Sequence, residues 1–191
     1  MGGSTVIPHI IGTTAMITLY FLVGTYYNGF YTQLHSEAYK AQLGQVADYI
    51  ATNIIDLVTL CQLTEHDLFL VKDVEVHTFI GEKIYNISLI TMTPSYGDME
   101  IKRVVAQIDA LNIYATSDLP WSMNATVEIY TNQPIVNPHE GTLNLTSRVL
   151  STSAVGRAAK IDGFASMVVW CSKTDGSIII GLGVMDRIQG G

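Results

Sequence analysis

Few residue types in this chain can do chemistry, and their spacing decides what that chemistry would be. The five histidines are His9, His35, His66, His77 and His139. Neither HExxH nor another metal-binding spacing joins them to each other or to the two cysteines, Cys61 and Cys171. His66 sits between Glu65 and Asp67, a triplet that reads as a polar cap after an apolar run rather than a cation site. Asp98 and Glu100 follow a glycine turn and read as solvated turn residues. The "GLG" of Gly181–Gly183 lacks the fingerprint and following helix of a dinucleotide site, so it predicts a close backbone approach inside a strand. No GxSxG, P-loop or CxxC occurs. The expectation is a protein without catalysis, cofactor or metal.

Two kinds of covalent modification fit the residues better. Asn86-Ile-Ser88, Asn124-Ala-Thr126 and Asn144-Leu-Thr146 are N-x-[ST] sequons. They read either as sugar acceptors on an exported surface or as ordinary turn and strand residues, and Asn86, Asn124 and Asn144 are the N-glycosylation candidates. Cys61 and Cys171 are the disulfide candidate. In an oxidising compartment they would close a loop of about 110 residues, worth about 4 kcal/mol in the chain-entropy model. The other reading is two buried free thiols in small apolar slots.

Charge narrows the partners. Ten Lys and Arg against 17 Asp and Glu give a net charge of −7, and no basic residue precedes Lys40. Lys102-Arg103 and the spaced Arg157 and Lys160 are too sparse for a phosphate-tracking patch, which argues against nucleic acid. Charged residues make up 14% of the chain, against about 25% in ordinary soluble domains. Mean hydropathy is +0.30. Ten tyrosines against five phenylalanines favour surfaces that are apolar yet able to hydrogen-bond.

The elements that carry these residues begin with a stretch in which Glu37 is the first charge. From Val6 to Val23, "VIPHIIGTTAMITLYFLV" has His9 as its single titratable side chain and is long enough to span a bilayer core. "GTYYNGFY" extends it with the character of a membrane interface. A cleaved secretory signal would need a basic start, and "MGGST" has none. A buried helix of a soluble domain would be shorter and carry a polar stripe. The favoured reading is a helix that lives in lipid or in an equally apolar bundle. Pro8 suits its first turn, Ser4 or Thr5 would cap it, and Thr13, Thr14, Thr18 and Thr25 can return their hydroxyls to the preceding turn.

Beyond Glu37, "AYKAQLGQVADYIATNIIDLVTLCQL" keeps a helical period. Leu43, Val46, Ile50, Ile54, Leu57 and Val58 form a stripe, Ala47 and Cys61 lie near it, and Asp48 and Asp56 lie off it. One helix from about residue 5 to 61 would be about 85 Å long at about 1.5 Å per residue, nearly three times the ~30 Å hydrocarbon core. Asn28-Gly29 within "YYNGFY" is the place where a bend or melted turn would fall. Ile11, Ile17 and Leu22 in the uncharged part, with Val46, Ile50, Ile54 and Leu57 in the amphipathic part, are the expected helix-core and assembly residues.

After "TEHD" at 64–67 the pattern turns to short β-rich runs: "LFLVKDVEVHTFI" (68–80), "KIYNISLITMT" (83–93), "EIKRVVAQIDA" (100–110), "LNIYAT" (111–116), "NATVEIYT" (124–131), "TLNLTSRVL" (142–150), "FASMVVWCS" (164–172) and "SIIIGLGVM" (177–185). "KTDGS" between the last two predicts a hairpin on an Asp-Gly turn. "GDMEIKRVVAQIDAL" is better read as strand, although Ile101, Val104, Val105 and Ile108 have helical spacing. Roughly seven or eight short strands predict an antiparallel sandwich. The fold class is therefore α+β: a long hydrophobic and amphipathic helix over residues 1–62, then an antiparallel β-sandwich domain over 63–191.

"STVIPHIIGTTAMITLYFLVG" followed by "LGQVADYIATNIIDLVTL" resembles the start of the archaeal type IV pilin superfamily, whose members include pilins, archaellins and stator-type accessory proteins of the archaellum. The resemblance covers about residues 4 to 60, and no motif of the β region aligns with it. It implies an extracellular filament subunit made from a membrane-inserted precursor. Its partners would be copies of itself, membrane lipid before assembly and a pilus assembly platform. The family's precursors carry a basic leader, and many mature members carry a Glu near the start. This sequence has neither, which fits a trimmed leader or the alternative of a membrane-anchored accessory subunit that binds through its sandwich. A membrane-tethered enzyme or carbohydrate binder would need a concave polar cluster that the sequence does not display.

Overall fold

The computed structural model describes residues 6–93, 100–120, 127–146, 148–155 and 165–186. The chain forms one long helix followed by several β-sheets, all antiparallel except for one short pairing. It divides into two compact units, Met1–Ala38 and Tyr39–Gly191. The helix α1 (Val6–Leu63) supplies all the described structure of the first unit and the first element of the second.

In the first unit the threonine hydroxyls are satisfied by the helix's own backbone. The hydroxyls of Thr13, Thr14, Thr18, Thr25 and Thr32 donate to the carbonyls of His9, Ile10, Thr14, Phe21 and Asn28, at 2.8–2.9 Å. Each threonine thereby turns its polar atom inward onto the backbone and shows its methyl outward. The melted turn allowed at Asn28-Gly29 is absent: α1 stays helical through both residues. A glycine costs helix stability of about 1 kcal/mol but removes no backbone hydrogen bond. Pro8 lies in the first turn as expected, and the suggested caps Ser4 and Thr5 fall outside the described residues.

In the second unit α1 is amphipathic. Leu43, Ala47, Ile50, Ala51, Ile54, Leu57, Val58 and Cys61 are buried along one face, while Asp48 and Asp56 are exposed. Steps of three and four residues keep this set on one side. Ala47 takes the inner position on that turn and Val46 lies half-buried at its edge. Full burial of each Leu or Ile contributes about 1.5–3 kcal/mol, so this face is a substantial source of stability for the second unit.

The strands follow in chain order: β1 (Leu68–Val74), β2 (Phe79–Ile80), β3 (Lys83–Ile84), β4 (Asn86–Met92), β5 (Ile101–Ile108), β6 (Ile113–Asp118), β7 (Val127–Ile129), β8 (Leu143–Thr146), β9 (Val149–Ser151), β10 (Ala165–Thr174) and β11 (Ser177–Asp186). One sheet runs β1-β10-β11-β7, with β8 also on β11. A second runs β6-β5-β4-β9, and β2-β3 form a small ribbon. β7 joins β11 in parallel; the other pairs are antiparallel. Ile87 and Leu89 of β4, Val104, Ala106 and Ile108 of β5, and Val169, Cys171, Ile180 and Leu182 of β10 and β11 share one core with the α1 stripe.

Four local outcomes bear on the expectations from the sequence. β5 is a strand despite its helical spacing, because it lies between β4 and β6 and buries Val105 on one face as well as Val104 and Ala106. A strand covered on both faces loses the simple alternation. The run 142–150, which reads as one strand, is divided between the two sheets as β8 and β9. The Asp-Gly hairpin forms as expected: Thr174 pairs with Ser177, and Asp175 (φ 50°) and Gly176 (φ 82°) take the left-handed conformations of a two-residue turn. The glycines of "GLG" are close-approach positions. A Cβ on Gly181 would stand 2.3 Å from the Trp170 ring, and one on Gly183 would stand 2.8 Å from the Asn144 carbonyl oxygen.

Tyr85 is 1% exposed, and its hydroxyl donates to the His77 carbonyl at 2.6 Å. Burial pushes its pKa up to about 12. Below the unfolded tyrosine value of about 10 both states keep the proton, so the stabilisation is whole. As pH rises from there to 12 the unfolded chain loses the proton first, which costs the fold roughly 2–3 kcal/mol over the window. Urea unfolding should therefore show a stability that drops between pH 10 and 12, and Tyr85→Phe should make that drop shallower. An unchanged slope in the variant would assign the alkaline loss to other groups.

Candidate functional site

Two features stand out: the outer surface of α1 in the first unit, and the place in the second unit where the end of α1 meets β10.

In the first unit every described side chain from Pro8 to Leu34 is exposed. The expected assembly residues Ile11, Ile17 and Leu22 are 63%, 58% and 62% exposed, and Met16, Leu19, Tyr20, Phe21, Val23 and Phe30 are exposed with them. These side chains point to all sides of the helix. An amphipathic helix on a protein surface has one polar face, whereas a helix apolar all round belongs inside a larger apolar environment. α1 is long and apolar enough to cross a membrane, with an 18-residue window of mean hydropathy 1.4, none of it buried. From Pro8 to Leu34 it would reach about 40 Å at about 1.5 Å per residue, more than a hydrocarbon core of about 30 Å. In water such a surface exceeds the apolar patch that a monomer ordinarily leaves uncovered.

In the second unit α1 ends at Leu63 with no basic residue in its last turn, so its final carbonyls need donors from elsewhere. Lys173 of β10 provides them: its Nζ donates to the Cys61 carbonyl at 3.1 Å and also to the Thr64 carbonyl. A cation at a helix C-terminus also opposes the negative end of the helix dipole. Two residues earlier on the same face of β10 stands Cys171, and its Sγ lies 2.8 Å from the Sγ of Cys61. Both cysteines are 0% exposed, and no bond joins them in the structure. The hydrogen bond from Cys171 and the nearby Lys173 charge pull Cys61 below the ordinary thiol value, against the opposing effect of burial. That hydrogen bond, burial and the Cys61 charge push Cys171 up. Asp67, just past the helix, accepts the Asp175 N–H at 3.1 Å and fastens the β10–β11 turn beside it. The polar-cap reading of the "EHD" segment thus rests on Asp67.

The remaining sequence-derived candidates occupy separate places. Val46, Ile50, Ile54 and Leu57 lie along the face of α1 turned to the second unit's core, Val46 only half-buried. Asn86, at the start of β4, is half-buried and donates its side-chain amide to Asp109. Asn144, on β8, is exposed. Asn124 and Asp98 lie outside the described residues. Among the described residues no group of three or more His, Cys, Asp or Glu is arranged to hold a metal ion. Sequence reasoning missed Lys173. The signal was available: a helix without a basic last turn, and a lysine two strand positions after the cysteine expected to meet that helix.

Comparison with family models, with curated proteins and with solved structures finds no match to this chain.

Replacing Lys173 with Met keeps most of the stem volume and removes the three donors. The Cys61 and Thr64 carbonyls would then face an apolar neighbour, at a cost of about 1–3 kcal/mol. Urea denaturation of Lys173→Met should show that loss, while Lys83→Met, an exposed change on β3, should be close to neutral. Equal stability of the two variants would remove Lys173 as the helix-end donor.

Proposed function

We propose that this chain is a structural subunit of an archaeal pilus-like surface filament, of the type IV pilin kind that residues 4–60 resemble. The observation that carries the reading is the exposed, uncharged helical surface from Pro8 to Leu34, on a helix that runs on into a β-rich domain. The mechanism is an exchange of surroundings. Before assembly the apolar helix lies in lipid; on assembly it enters a bundle of like helices. Lipid tails and Leu, Ile and Phe side chains are similarly apolar, so transfer costs little. The contact is between different faces of successive copies and does not close, which makes a helical polymer rather than a ring. The partners are further copies of the chain, membrane lipid and an assembly platform that moves subunits from one to the other. The β domain faces outward, and no catalysis is assigned to it.

A charge in the uncovered helix tests this directly. A lone carboxylate in hydrocarbon costs several kcal/mol, and no Lys or Arg occurs before Lys40 to pair with it. Ile17→Asp should abolish membrane insertion and filaments in cells that otherwise display them, as seen by fractionation and electron microscopy. Normal filaments from this variant would overturn the reading. Membrane-bound wild-type protein that never forms rods would favour the anchored accessory subunit instead.

The outward β domain leads to a second expectation. Both asparagines lie in strand ladders, but Asn144 on β8 is exposed whereas Asn86 on β4 is half-buried. Glycopeptide mass analysis of protein from its native source should find sugar on Asn144 and none on Asn86. An unmodified Asn144, or sugar on Asn86 in its place, would count against the assignment.

A further inference from the structure

We propose that Cys61 and Cys171 are joined in the mature protein by an intramolecular disulfide that locks the end of α1 to β10. The two residues stand 110 positions apart in the chain, yet the fold brings their sulfurs to 2.8 Å. That is only about 0.8 Å beyond the ~2.05 Å of a disulfide bond, a gap that small rotations of the two side chains would close. The surroundings hold the pair in place. Cys171 is centred in the ten-residue β10, across from Ile180 of β11 and Leu70 of β1. Cys61 sits in the last turn of α1, whose carbonyls Lys173 grips from the same strand. Strand and helix end are therefore fixed relative to each other on both sides of the sulfurs.

The chemistry balances with an oxidant of the disulfide class, such as a thiol–disulfide oxidoreductase. The Cys61 thiolate attacks one sulfur of the oxidant's disulfide, which breaks, and the first oxidant thiolate leaves. Cys171 then gives up its proton and attacks the Cys61 sulfur of the mixed disulfide, expelling the second. Two electrons and two protons pass to the oxidant, which ends as two thiols. With both sulfurs wholly buried in the folded unit, this exchange takes place before the β10–β11 hairpin closes over the helix end. Oxidising surroundings follow from the reading of the chain as exported, and the inference rests on that reading in this respect.

The test uses protein taken from its native source, denatured in an alkylating reagent without reductant and weighed intact. The expected result is no alkyl adduct, two adducts after reduction, and a proteolytic fragment linking the Cys61 and Cys171 peptides. Adducts on both cysteines without reductant would overturn the proposal, and so would a link from either cysteine to a different molecule. A second measurement follows reduction of the folded protein: the bond should resist a soluble reductant until denaturant is added, and rapid reduction under native conditions would contradict its buried position. Filaments whose subunits carry two free thiols would remove the cross-link and leave the filament reading intact. A cross-linked chain that builds no filaments would do the reverse.

Discussion

The second unit depends on the burial of one helical face. Leu43, Ala47, Ile50, Ile54, Leu57 and Cys61 belong to the same core as residues from both large sheets. Short strands such as β7, β8 and β9 would be marginal on their own, because a few ladder bonds do not offset the entropy of ordering them. Burying Val127 and Ile129 of β7 and Leu150 of β9 in one core with the helical stripe changes that balance. It also explains why one helix carries two kinds of surface: its sequence turns amphipathic where sheets lie against it, and stays apolar all round in the first unit, where Pro8 to Leu34 are exposed.

Several polar side chains among the described residues serve the structure around them. Threonine hydroxyls close onto their own helix in the first unit. In the second, Asp56 meets Lys72 at 3.0 Å, Arg103 pairs with Asp118 across β5 and β6, and Lys173 serves the helix end. The first two pairs are largely exposed and contribute little, within the 0–1 kcal/mol range of surface ion pairs. Lys173 differs because its partners are backbone carbonyls that would otherwise lack donors.

Much of this was legible in the sequence, for definite reasons. The long helix was readable because charge disappears before Glu37 and a 3.6-residue period follows it. The last hairpin was readable because Asp-Gly selects a single turn geometry. Cys61 and Cys171 were readable as a pair because the chain has no other cysteine and their elements were expected to meet. Other features were hidden by context. β5 conceals its period through double-sided burial. The division of 142–150 between two sheets depends on which partner each half finds, which no local propensity encodes. The sequons look alike as text, and what separates Asn86 from Asn144 is burial, since the fold half-buries Asn86 and leaves Asn144 exposed. Lys173 was an ordinary strand lysine until the helix end above it was located.

The attachment of the helix end to β10 also bears on how fast the domain can form. Lys173 reaches carbonyls 112 and 109 positions upstream, at Cys61 and Thr64. Contacts of such sequence separation bring no return until a long loop has closed, and folds rich in them form slowly. The core strand that completes the helix's environment is also synthesised late relative to that helix, Cys171 following Cys61 by 110 positions. Until β10 arrives, the stripe from Leu43 to Cys61 is a second apolar surface with nothing to cover it, and any machinery that handles the nascent chain must keep it from aggregating for that interval.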